Sequence, residues 1–171
     1  MKKVVFAFVV TSICLFAGCK KKETVLGPAV PAQTWTFKSL TYNTIQCFAD
    51  TNHSSPNISA NNGSPSDSNN YCALSCYFYG SSLPSTSGTY TVASLNTIDT
   101  SATSKFVMLR MVFGGSLNNY MSTGGNGNQQ LTVTVNNGKI SITGSAIEMA
   151  HYYSNVITDS AALNFNITQT Q

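Results

Sequence analysis

The sequence predicts an all-β domain, an antiparallel β-sandwich or flattened barrel of about eight or nine strands, and three observations carry that expectation. Short stretches either alternate apolar and polar residues or run apolar for a strand's length, and Gly, Pro and Asn punctuate them. Nowhere do apolar residues recur at helical spacing for three turns. Charged residues are only 9% of the chain and hydrophobic ones 42%, with Ser, Thr, Asn and Gly abundant, so hydroxyls and amides must solvate the surface in place of charge.

The domain is expected over residues 34–171, a length that buries one core. Residues 35–48 read as a strand region in which Trp35 and Phe37 alternate, with a bend near Ser39, then Tyr42, Ile45 and Cys47. Residues 50–70 are nearly all Asn, Ser, Asp, Pro and Gly, which bury too little to order themselves and so predict an extended surface loop. Residues 71–79 form a clear strand with Cys72, Leu74, Cys76 and Phe78 on one face and Tyr71, Ser75, Tyr77 and Tyr79 on the other. After the turn at residues 80–84, residues 88–92 make a short strand and residues 105–113 a continuous apolar one that only Arg110 interrupts. Residues 119–122 read as a brief edge strand before the glycine-rich turn at 124–128. The best-defined element is the hairpin of residues 131–135 and 140–143, because Asn137-Gly138 supplies the positive φ of a tight turn and both flanks alternate. Residues 146–149 continue its second arm past a bulge at Gly144, and Ala161, Leu163, Phe165 and Ile167 mark a last strand.

Ahead of the domain stands an address. Lys2 and Lys3 precede an apolar run from Val4 to Phe16, long enough for a secretory signal and short for a membrane span. Leu15-Phe16-Ala17-Gly18-Cys19 reads as a bacterial lipoprotein cleavage box, with residues 1–18 as signal peptide and Cys19 as the acylated mature N-terminus. Residues 19–33 follow as a flexible tether, which Gly27-Pro28 and Pro31 keep from forming a helix. The formal charge of +3 is carried by that leader and tether. Beyond Glu23, Lys38, Lys105, Arg110 and Lys139 face Asp50, Asp67, Asp99, Glu148 and Asp159, a near-neutral balance with no footprint for nucleic acid.

Cys19 followed by Lys20-Lys21-Lys22-Glu23, the Ser87 to Val92 strand after a proline-containing turn, and the Leu131 to Ile147 hairpin with its terminal Phe165-Asn166-Ile167-Thr168 strand together resemble the small lipid-anchored β-sandwich proteins of Bacteroidetes, many of unknown function. The resemblance implies an outer-membrane envelope address and a fold class, with no activity attached. Surface-exported members tend to carry acidic residues just after the cysteine, where this chain has lysines, so the periplasmic and cell-surface faces both stay open. From the same resemblance, Asp159-Ser160-Ala161 matches a pattern for O-glycosylation, which makes Ser160 a candidate modification site.

Catalytic patterns are missing from the sequence. It has no Gly-x-Ser-x-Gly elbow and no His-Glu-x-x-His, and its histidines, His53 and His151, stand far apart. No cofactor or metal is expected, and the expectation is a non-catalytic envelope protein with a structural, assembly or binding role; a surface glycan- or ligand-binding module is the alternative, and behind it a glycan-active enzyme using a pair among the dispersed carboxylates. Tyr71, Tyr77 and Tyr79 are the candidate stacking residues for a glycan or other ligand, since a tyrosine ring lies on a sugar while its hydroxyl stays wet. Cys47 and Cys72 flank the polar segment and form a disulfide if their strands make one hairpin; otherwise they and Cys76 are buried small hydrophobes. Cys72 and Cys76, four apart in one strand, lie about 13 Å apart and cannot pair.

Overall fold

A computed structural model describes residues 33–52, 55–67, 70–94, 105–114 and 119–170. The signal peptide, Cys19 and the tether as far as residue 32 lie outside the described residues, as do His53 and Asp99. The described chain is all-β: β1 (Thr34–Phe37), β2 (Leu40–Asn43), β3 (Gln46–Asp50), β4 (Asn57–Asn61), β5 (Cys72–Phe78), β6 (Gly88–Val92), β7 (Phe106–Phe113), β8 (Asn119–Ser122), β9 (Gln130–Asn136), β10 (Lys139–Tyr153) and β11 (Val156–Thr168). A single 3-10 turn at Gly125–Gly127 is the only helical piece among the described residues.

All eleven strands join one sheet in the order β2-β1-β11-β10-β9-β6-β7-β5-β4-β3, with β8 between β7 and β10. Every pairing is antiparallel except β6 with β7. The place of β8 makes a fork. β10 pairs with β9 over Lys139–Gly144 and with β8 over Met149–His151, while β7 pairs with β6 at Phe106 and Val107 and with β8 from Arg110 to Val112. Two strands therefore separate β7 from β10 at one end and one strand at the other, about 14 Å against about 10 Å. The buried Ser122 hydroxyl knits the fork, donating to Ala93 O at 2.6 Å and accepting from Leu109 N at 3.0 Å.

A sheet that tapers must curl, and this one curls around one core. Thr170, just past β11, donates its N–H to Cys47 O of β3 at 2.8 Å, although a flat sheet would hold those strands on the order of 30 Å apart. Phe37 of β1 meets Phe113 of β7 at 5.9 Å between ring centroids and Tyr120 of β8 at 4.9 Å. The enclosed face carries Trp35, Phe37, Ile58, Leu74, Leu109, Met111, Ile142, Met149, Leu163 and Phe165, all essentially without solvent contact.

Three expectations are corrected. Residues 50–70 are not one extended loop, because β4 lies inside them, between β3 and β5, with Ile58 and Ala60 buried. Only two apolar residues mark that strand; what orders it is backbone pairing on both edges and a polar lattice in which Ser59 Oγ bonds Asn57 Oδ1 and Ser75 Oγ, both at 2.7 Å. The turn that follows is self-bonded, with Asn62 donating to Asn70 O and accepting from Cys72 N at 2.7 Å. The region of residues 35–48 is three strands instead of one bent strand, since Lys38 and Ser39 both take positive φ and fold β2 back on β1. Of the two cysteine readings, the Cys47–Cys72 disulfide is not formed: β4 stands between β3 and β5, Cys47 opposes Ala60, Ala60 opposes Leu74, and Cys47, Cys72 and Cys76 are free and buried, as the other reading has them.

The expected hairpin of β9 and β10 is present, turning at Asn137-Gly138, and the bulge after Gly144 falls between Gly144 and Ile147. The last strand starts earlier than its apolar pattern suggests. Ser154 and Asn155, both at positive φ, form a glycine-free turn that pairs Tyr153 with Val156.

Candidate functional site

The segment after β5 builds a cleft. Tyr79 still bonds the sheet, its N–H donating to Phe106 O at 3.2 Å. Gly80 then turns the chain away at φ +137°, a conformation that side chains rarely adopt. Residues 80–86 stand off the sheet and leave a hollow of about 300 Å³ lined by them and by Phe78, Tyr79, Tyr90 and Lys105. Its floor is rigid. Phe78 and Tyr90 meet edge to face at 5.4 Å, and Tyr90 is 8% exposed. Burial pushes the Tyr79 and Tyr90 hydroxyls above the ordinary phenol range, so both remain neutral donors and acceptors at physiological pH. The wall is hydroxylic, with Ser81, Ser82, Ser85 and Thr86. Rings below, hydroxyls at the side and an ammonium at the rim are what a polyhydroxylated ligand of one or two rings can use.

A second hollow, of about 480 Å³, opens near the fork between Val92, Ala93, Phe106, Thr123 and Gly124. Among the described residues no charged side chain lines it, so these offer it shape and few directional contacts.

The tyrosines singled out from the sequence share the outer face of β5 and its flanks, all half-buried. They do not converge, because Tyr71 and Tyr79 are eight residues apart, roughly 26 Å along an extended chain. Of these Tyr79 alone lines the cleft, together with Tyr90, whose inward register in β6 only the folded sheet reveals.

At the other end of the sheet the structure assembles a cluster that the sequence keeps far apart. Lys38, in the β1–β2 turn, bonds Tyr120 OH at 2.6 Å and the Asp159 carboxylate, and Tyr120 OH donates to Asp159 Oδ2 at 2.5 Å. The ammonium lies 4.7 Å from the Tyr120 ring centroid, and His151 stacks obliquely on that ring at 5.5 Å. Hydrogen bonds from Lys38 and then Tyr120 hold Asp159 below the usual carboxylate range, and the Asp159 bond raises Lys38. Each polar group answers another, so the cluster reads as a latch over the Phe37, Phe113 and Tyr120 rings. Its one sequence signal is that Lys38 is the sole lysine or arginine between Glu23 and Lys105.

Ser160 is exposed on β11, opposite Ala150, while the preceding Asp159 is engaged by the latch. Cys47 and Cys72 are too deep to be reactive, as burial pushes both thiols up to about 12. Among the described residues no three His, Cys, Asp or Glu side chains gather as a metal site, and no helix is long and apolar enough to cross a membrane. Set against protein-family models, curated proteins and solved structures, the chain matches none.

Proposed function

We propose that this chain is a non-catalytic lipoprotein of the bacterial outer membrane, anchored through acylated Cys19, whose domain binds a glycan in the cleft beside Tyr79 and Tyr90. In this reading the curled sheet is a flattened barrel that presents one rigid aromatic shelf. The observation that carries the proposal is half-buried Tyr79 in a cleft lined by four hydroxyl side chains and, among the described residues, by no acid or imidazole, with the buried Phe78–Tyr90 pair beneath. Such a surface stacks and hydrogen-bonds sugars and holds no general acid and base pair for cleaving them. A glycan array probed with the mature protein tests it. Binding should appear and fall at least tenfold in Tyr79→Ala; hydrolysis of any arrayed glycan, or binding indifferent to Tyr79, would overturn the reading.

The address rests on the cleavage box at Cys19. Acyl chains contribute about 0.8 kcal/mol per buried methylene, so several of them hold a domain to the membrane for long times. Globomycin should accumulate the uncleaved form; normal maturation under the drug, with release of the protein in buffer alone, contradicts lipidation.

An assembly or structural role is the second reading. It is favoured by the β10–β11 hairpin, whose tip exposes Tyr153, Val156 and Ile157 at 72%, 63% and 53%.

A further inference from the structure

We infer that the glycan held in this cleft is acidic, carrying a carboxylate or a sulfate or phosphate ester, and that Lys105 is the group that selects it. The inference rests on the glycan-binding reading above and goes further by assigning a charge class. Lys105 is fixed at its backbone, since Thr91 N donates to Lys105 O at 2.8 Å and the next residue begins β7. Its side chain lies over Gly88, where a Cβ would come within 2.4 Å of Lys105 Nζ. The side chain brings Nζ to 5.7 Å from the Tyr90 ring centroid, at the cleft.

The ammonium is also unanswered. Among the described residues no acidic side chain lines the cleft, and Lys105 makes no ion pair. Lys38 is the contrast, with Asp159 as its partner. A neutral sugar on the shelf would take water from an ammonium and give back only hydroxyl dipoles. An anionic substituent at the rim meets it with a charge-assisted bond, stronger than a neutral one. A cationic ligand would be repelled. The cleft therefore discriminates by charge at Lys105 and holds the ring by Tyr79 and Tyr90.

The test is isothermal titration of the mature protein in detergent with a hexuronate oligosaccharide, the same oligosaccharide with its carboxyls reduced to alcohols, and a sulfated oligosaccharide. The expected result is at least tenfold tighter binding of one or both acidic probes than of the reduced one, weakening as salt rises. Lys105→Met should bring acidic binding down to the level of the reduced probe, and Lys105→Arg should keep the preference. Preference for hexuronate over the sulfated probe identifies a carboxylate as the ligand's anion, and the reverse order identifies an ester. Equal binding of acidic and reduced probes, or an acid preference that survives Lys105→Met, overturns the charge assignment while leaving glycan binding in place. Failure of all three probes to bind overturns the glycan reading and this inference with it.

Discussion

Gly144 tolerates no side chain. A Cβ there would meet the Phe165 ring at 2.3 and 2.8 Å, and that ring is fully buried. Overpacking of this kind costs about 1–3 kcal/mol, so Gly144→Ala should lower the unfolding free energy by that amount, read as a lower urea midpoint; an unchanged midpoint would mean that the bulge is soft. The position was legible in the sequence, since a glycine inside a strongly alternating strand marks a bulge or a close approach. The cysteines were legible only as alternatives. Their spacing allowed a bond between the strands flanking the polar segment, and nothing in an Asn-Ile-Ser-Ala-Asn run announces the strand that separates them. With thiols buried and raised to about 12 at Cys47 and Cys72, the native protein should resist an aromatic disulfide reagent at neutral pH and react after unfolding. Its melting temperature should be the same with and without reductant, and a reductant-dependent loss of stability would reveal a disulfide.

Among the elements, those whose signal is local were legible: β5, β7, β9 and β10 follow from alternation or apolar runs and from Asn137-Gly138. β4 and the first half of β11 were not, because their order comes from neighbours on both edges or from a turn of Ser154 and Asn155 that only the backbone conformation identifies. The latch is a further case, built from a turn, a short strand and a hairpin arm that meet only after the sheet curls. Its pH dependence follows from two opposite shifts. Asp159 is lowered, so its contribution is full above the ordinary carboxylate range and fades as pH falls through the lowered value. Lys38 is raised, so its contribution is full below the ordinary lysine range and fades as pH rises through the raised value. The latch is thus closed across the whole neutral range, though both groups are solvent-exposed enough that its effect on stability is small. Carboxyl-carbon NMR should show Asp159 titrating below the ordinary carboxylate range in the native protein and moving upward in Lys38→Met; an Asp159 titration indifferent to Lys38 would show the ion pair to be open in solution.

At the scale of the molecule, the curled sheet gives two unlike ends. The chain enters beside Thr168, where Gln33 Nε2 donates to Thr168 O at 3.0 Å. Thr168 pairs with Ser141, Ser141 with Thr134, and Ser87 Oγ accepts from Val135 N at 2.8 Å. The cleft that precedes Ser87 therefore shares the end at which the described chain begins, and the apolar hairpin tip of β10 and β11 points from the other. Under the proposed acylation of Cys19, the chain from Cys19 to Thr34 would span at most about 50 Å, and the cleft would face glycans close to the same membrane. Neither end was legible in the sequence, because each gathers residues from strands remote along the chain. Amide NMR of the mature protein titrated with an acidic oligosaccharide asks directly whether the cleft is the binding site. The expected outcome is saturable shifts confined to residues 78–86, 90 and 105 with the latch residues unmoved; saturable shifts centred on the hairpin tip or the outer face around Tyr71, with the cleft silent, would contradict it.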